Sequence, residues 1–155
     1  MSADTSNAGL ARATETTLRL RRLLLDLERR VTDAIRVNLE PAGLTVDDWA
    51  VLCLLSDGAG HPMAEVMSAA GMPAASATRL VDKLVSNALV HRTVDIRDRR
   101  RVLTVLSPAG VKLHDRLASG QQQIARLLAA GIGQAELGSL LDALSAADAA
   151  LEAHA

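Results

Sequence analysis

The stretch "ATRLVDKLVSNALVHRTVDIRDRRRVLTVL", Ala77–Leu106, decides the fold. In its first part Ala77, Leu80, Val81, Leu84 and Ala88 share one helical face, while Thr78, Arg79, Lys83 and Ser86 lie largely on the others, with Ser76 just before them. This helix therefore has a core side and a polar side. The runs "LVHRTV" and "RVLTVL" that follow are β-branched and aliphatic and read as two strands. Between them "VDIRDRRR", Val94–Arg101, concentrates four arginines and two aspartates in eight residues. A hairpin with a cationic tip thus follows a helix with a polar face.

Upstream, "HPMAEVMSAAGMP" predicts a short helix from Met63 to Ala70, a bend at Gly71, and a start for the polar-faced helix at Pro73 or Ala74. That helix ends near Asn87, and with Ala at position 88 the left-handed residue of the exit falls to Asn87. Two short helices joined by a Gly-containing turn make a helix-turn-helix. With the hairpin behind it, the order is that of a winged helix.

The flanks are helical too. Leu20, Leu24, Leu27, Val31 and Ile35 form one seam between Thr16 and Leu39, with Pro41 and Gly43 as the stop. Leu18, Leu23, Leu25 and Leu39 widen that seam beyond what one partner helix needs. "TVDD" opens a second helix, Thr45 capping it and Asp48 three residues on. Ser107-Pro108 starts a fifth helix running to about Ala130, in which Gly120 marks a bend; Gly131 and Gly133 then break the chain before a final leucine-bearing helix.

The expected fold is mainly α with a small two- to three-stranded β wing, a winged helix-turn-helix with N- and C-terminal dimerisation helices. The expected divisions are a flexible N-terminus over 1–15, a dimerisation helix over 16–44, a DNA-binding winged domain over 45–106, and C-terminal dimerisation helices over 107–155. The long helices expose more leucine than a small winged domain can cover, which points to a second copy of the chain.

Composition narrows the function. The 155 residues are 49% hydrophobic, enough for one domain with helical extensions. One Trp, no Tyr and no Phe leave a single ring for stacking bases, which disfavours single-stranded nucleic acid. One cysteine excludes an internal disulfide framework. No apolar window is long enough for a membrane span and the first residues show no signal pattern, so a soluble cytoplasmic protein is expected. Residues 76–101 hold seven basic and three acidic side chains, against ten and fifteen in the remainder. That split places a local anion-binding face on an acidic body. No nucleophile motif, phosphate loop or catalytic carboxylate pair is present, so no enzyme and no cofactor are expected. His61, His91, His114 and His154 lack metal-ligand spacing, and no metal is expected.

"DIRDRRRVLTVLSPAG" and "ATRLVDKLVSNALVHR" resemble the wing and the recognition helix of the MarR family of bacterial transcriptional regulators, and the likeness spans nearly the whole chain. The resemblance implies double-stranded DNA as partner, a homodimer on a palindromic operator, and repression relieved by a small aromatic or phenolic effector. On the recognition helix, Ser76, Thr78 and Arg79 stand where base and phosphate contacts usually fall, and Lys83, a turn further on, is expected at phosphate. On the wing, the resemblance places Arg100 in the minor groove with Asp98 holding its guanidinium; Arg97 and Arg99 are candidates for phosphate. Arg101, at the strand start, is open to internal pairing.

Trp49 is a candidate wall for an effector space, with core packing as the plainer reading. Cys53 offers a thiol-based redox alternative, but its apolar helix, without a neighbouring cation, predicts a buried small hydrophobe. A second class of function is a winged-helix module for protein–protein contact, against which the cationic tip argues.

Overall fold

A computed structural model describes the backbone of residues 3–154 and the side chains of residues 12–154. Helix α1 spans Ala3–Leu39. It therefore takes in residues 3–15, expected as a flexible lead, while residues 1 and 2 lie outside the described residues. The physical reason is that this lead holds four alanines and no proline, and a helix already nucleated at the leucine seam propagates through such residues at one hydrogen bond each. A 3-10 turn, Glu40–Ala42, closes α1 around Pro41.

Helix α2, Val46–Leu54, opens on a complete capping box. The Asp48 N–H donates to Thr45 Oγ1 at 3.1 Å and the Thr45 N–H donates to Asp48 Oδ2 at 2.8 Å. After a 3-10 turn at Leu55–Asp57, the two-residue strand β1, His61–Pro62, leads into α3, Met63–Ala70. Gly71, at φ 60°, makes the left-handed turn to α4, Ala74–Ser86. The exit from α4 differs from the expectation. Asn87 keeps φ −84°, and Ala88 is the residue at φ 57°. One residue later suits the chain because the Leu89 N–H then reaches the Leu84 carbonyl, at 2.9 Å.

Strands β2, Val90–Val94, and β3, Val102–Leu106, pair antiparallel, Val90 opposite Leu106 and Val94 opposite Val102. Strand β1 adds to the other side of β3, His61 opposite Thr104, giving the sheet order β1–β3–β2. Two residues carry too little periodicity to be legible as a strand beforehand. Ser107 locks the wing to the end of α4: its hydroxyl donates to the Ala88 carbonyl at 2.6 Å and its N–H to Leu89 at 2.9 Å.

Helix α5, Pro108–Ile132, is capped by the Ser107 hydroxyl, and α6, Gln134–Glu152, follows the break at Gly133. Gly120 lies inside the continuous α5 at a close approach to α1. A Cβ there would sit 3.0 Å from Asn38 Oδ1 of α1.

The core gathers Leu39, Leu44, Trp49, Val51, Leu52 and Leu55 from the α1–α2 side, and Val66, Leu80, Val81, Leu84 and Val90 from the winged motif. Each such side chain contributes roughly 1.5–3 kcal/mol when fully buried. Six leucines of the middle of α1 stay outside this core: Leu18, Leu20, Leu23, Leu24, Leu25 and Leu27 are all exposed, as are Leu127, Leu141 and Leu151 of α5 and α6. Among the described residues no single helix is long and apolar enough to cross a membrane.

Candidate nucleic-acid interface

Helix α4 buries Ala77, Leu80, Val81 and Leu84 and turns Ser76, Thr78, Arg79, Asp82 and Lys83 outward. Its N-terminus has no side-chain cap; Pro73 fixes the backbone there instead. The Ser76 N–H turns back to the Pro73 carbonyl at 3.0 Å, which leaves the Ala74 and Ala75 amides for solvent or an anion at the end of the helix that carries partial positive charge. Ser76 stands in that turn. Thr78 Oγ1 donates to the Ala74 carbonyl at 2.9 Å, so its hydroxyl oxygen is still free to accept. Arg79 is exposed and enters no ion pair among the described residues.

Lys83 does something else. Its Nζ lies 2.5 Å from Asp48 Oδ2, and that carboxylate is 1% exposed. The ammonium expected at phosphate is therefore held by an internal carboxylate in this structure. A buried carboxylate holds a cation more firmly than a solvated helix face does, because leaving it unpaired carries the full desolvation cost. Asp82, the preceding residue, accepts from Arg92 Nη2 of β2 at 2.7 Å.

At the wing tip both aspartates shape the turn. Asp95 Oδ1 accepts from the Arg97 N–H at 2.8 Å, and Asp98 Oδ1 accepts from the Arg100 N–H at 3.0 Å. The Asp95 N–H reaches the Arg101 carbonyl and the Arg101 N–H reaches that of Asp98, each at 2.9 Å. Asp98 thus holds the backbone of Arg100, whereas the resemblance implied its guanidinium; an aspartate two residues before an amide closes an Asx turn at little entropic cost. Arg101 pairs internally with Asp95 at 3.9 Å. Arg97, Arg99 and Arg100 are left exposed with no carboxylate partner among the described residues. The tip is a tied frame presenting three free guanidinium groups.

Trp49 follows its plainer reading, and Cys53 departs from its own. Trp49 belongs to the core and its indole stacks on the His114 imidazole, centroids 5.1 Å apart, so the ring is committed to packing between α2 and α5. Cys53 is exposed, against the expectation of burial. Partial desolvation still pushes its thiol up, away from the reactive thiolate form.

Sequence reasoning missed the second role of Asp48 and the Asp82–Arg92 pair. The first had a local explanation as a cap, and the second joins residues ten apart on different elements. It also missed His61. The Nδ1 of its imidazole lies 2.5 Å from Glu65 Oε2 and its Nε2 lies 2.9 Å from Asp57 Oδ1. The spacing Asp57, His61, Glu65 was the available signal.

Comparison with known proteins agrees with this geometry. The sequence pattern of the MarR family matches residues 42–101, from the turn after α1 to the end of the wing tip. The transcriptional repressor NicR of Pseudomonas putida is 29% identical over 98 residues, which cover 63% of this chain and 62% of NicR. The match therefore spans less than two thirds of that repressor. The crystal structure of CouR from Rhodococcus jostii RHA1 bound to p-coumaroyl-CoA superposes with a TM-score of 0.73 at 28% identity, covering 79% of this chain and 86% of CouR. AbsC from Streptomyces coelicolor, at 23% identity, shares the fold over 89% of this chain and 95% of its own, with a TM-score of 0.77. The winged motif thus matches the MarR family in sequence over residues 42–101, and the flanking helices match the fold of CouR and AbsC in structure.

Proposed function

We propose that this chain is a sequence-specific, double-stranded-DNA-binding repressor that acts as a homodimer on a palindromic operator and is released by a small aromatic effector. The observation that carries the reading is the set of unpaired guanidinium groups, Arg97, Arg99 and Arg100, on a tied hairpin beside the exposed Ser76, Thr78 and Arg79 of α4. A major groove about 12 Å wide takes one helix, and the adjacent minor groove attracts arginine through its negative potential. Arg79 is suited to a bidentate guanine contact, Ser76 and Thr78 to phosphate or a base edge, and Arg100 to the minor groove.

Homodimerisation is supported by the exposed leucines of α1, α5 and α6, which this chain alone leaves uncovered. One winged domain reads only a few bases, and two-fold pairing supplies the second half-site about one helical turn away. Repression is supported by NicR, and an aromatic effector by the p-coumaroyl-CoA bound to CouR. An effector must favour a spacing of the two DNA-binding lobes that the operator does not.

The test is a salt series of duplex binding with the wild-type chain and Arg100→Ala. Binding should be steep in salt, and the variant should be weaker with a slope lower by roughly 0.9 per lost phosphate contact. A chain that shows no duplex affinity at low salt, yet captures a protein partner, is instead a protein–protein module.

A further inference from the structure

Among the described residues α4 makes two ion pairs with other elements, and they come from consecutive positions. Lys83 ties it to α2 through Asp48, and Asp82 ties it to the wing strand β2 through Arg92. The two tethers differ in kind. Asp48 is buried, so its pair belongs to the core, whereas Asp82 and Arg92 are 55% and 38% exposed on their side chains, where an ion pair adds little to stability. An acidic residue on a helix meant to face phosphates is also unfavourable there, since like charge repels. Asp82 lies one helical turn beyond Arg79, on the outward side of α4. Its position needs a reason other than stability.

We infer that the Asp82–Arg92 pair is a positioning device that fixes the wing relative to the recognition helix, so that the tip arginines and Arg79 meet neighbouring grooves in one register. This rests on the DNA-binding reading above. Arg92 sits at the middle of β2, opposite Thr104, and the strand continues only two residues further to Val94 before the arginine tip. A tether at the middle of the strand governs the angle of everything beyond it. The bond is short, 2.7 Å, and charge-assisted, and it spans two elements otherwise joined through the turn at Asn87–Leu89. Neither side chain then needs to touch DNA to affect binding.

The sign of the effect separates this from simple electrostatics. Removing an acid from the face of α4 should strengthen binding if charge alone mattered. If Asp82 positions the wing, Asp82→Asn should weaken it, by roughly fivefold, the upper range for an exposed ion pair. The probe is a duplex selected by the wild-type chain from random-sequence DNA. Asp82→Asn, Arg92→Gln and the double variant are compared for affinity, thermal midpoint and groove footprint.

The expected result is weaker binding by Asp82→Asn with an unchanged thermal midpoint. Hydroxyl-radical protection in the minor groove should be lost while dimethyl sulfate protection of major-groove guanines is kept. The double variant should bind no more weakly than the weaker single, the mark of a coupled pair. Equal or tighter binding by Asp82→Asn overturns the inference. So does a fall in thermal midpoint with both footprints fading together, which would make the pair merely structural. If the wild-type chain selects no duplex, the DNA-binding reading fails instead.

Discussion

Lys83 of α4 and Asp48 of α2 meet at 2.5 Å across 35 residues of chain, and the carboxylate that joins them also caps its own helix. One buried side chain therefore fixes where α2 begins and how α4 lies upon it. The recognition helix is oriented from beneath by this contact.

Replacing Lys83 with Met removes the cation and leaves Asp48 with the Thr45 amide alone. Breaking a fully buried pair costs 3–5 kcal/mol, and since Lys83 is itself partly exposed the loss should be nearer ~2 kcal/mol. Urea unfolding should show it, with the salt slope of DNA binding unchanged. A slope lower by about 0.9 at unaltered stability would return Lys83 to the phosphate backbone.

His61 predicts a pH dependence. Burial opposes its charge, but the hydrogen bonds to Glu65 and Asp57 outweigh that and raise its pKa above the ordinary 6.5. Both ring nitrogens face carboxylates, so both must carry protons. A raised folded-state value means that the stabilisation is complete below the unfolded-state pKa and is lost as pH rises through the folded-state one. Asp57 acts at the other end of the scale: the Ala59 amide, then His61, lower its pKa, so its share is lost as pH falls through that lowered value. Thermal midpoints of wild type and His61→Gln should differ most near pH 6 and converge in alkali. A difference independent of pH would contradict the charged clamp.

Ala88 sits at φ 57°, where a Cβ is strained. The left-handed region costs roughly 1–2 kcal/mol for a residue other than glycine, part of which glycine gives back through its freer unfolded chain. Ala88→Gly should stabilise the fold by ~0.5–1 kcal/mol and Ala88→Val should destabilise it, both readable from the denaturation midpoint. Loss of stability with glycine would mean that α4 leaves by another route.

Gly110, in the first turn of α5, is buried against the wing. A Cβ there would stand 2.0 Å from the Leu89 carbonyl oxygen and 3.1 Å from Leu106 Cδ2. That oxygen already accepts from the Ser107 N–H, so it is not free to move. Gly110→Ala should cost about 2–3 kcal/mol, near the top of the range for overpacking. A variant as stable as wild type would show that the wing and α5 separate more readily than their packing suggests.

The sequence by itself determined the element order, the helix starts at Thr45 and Ser107, the outward set Ser76, Thr78 and Arg79, and the arginine tip. Each of these is written in residues a few positions apart: a hydroxyl before a helix, an apolar period, a run of like charge. Tertiary structure alone decided which charges are free. Lys83 looked like a cation for phosphate until α2 brought a buried carboxylate beneath it. Asp82 and Arg92 became a pair only when β2 folded back beside α4, and Trp49 was claimed by His114 from α5. Whether a side chain faces solvent or a partner depends on which distant element lies opposite, and that is set by packing of the whole core, not by neighbours along the chain.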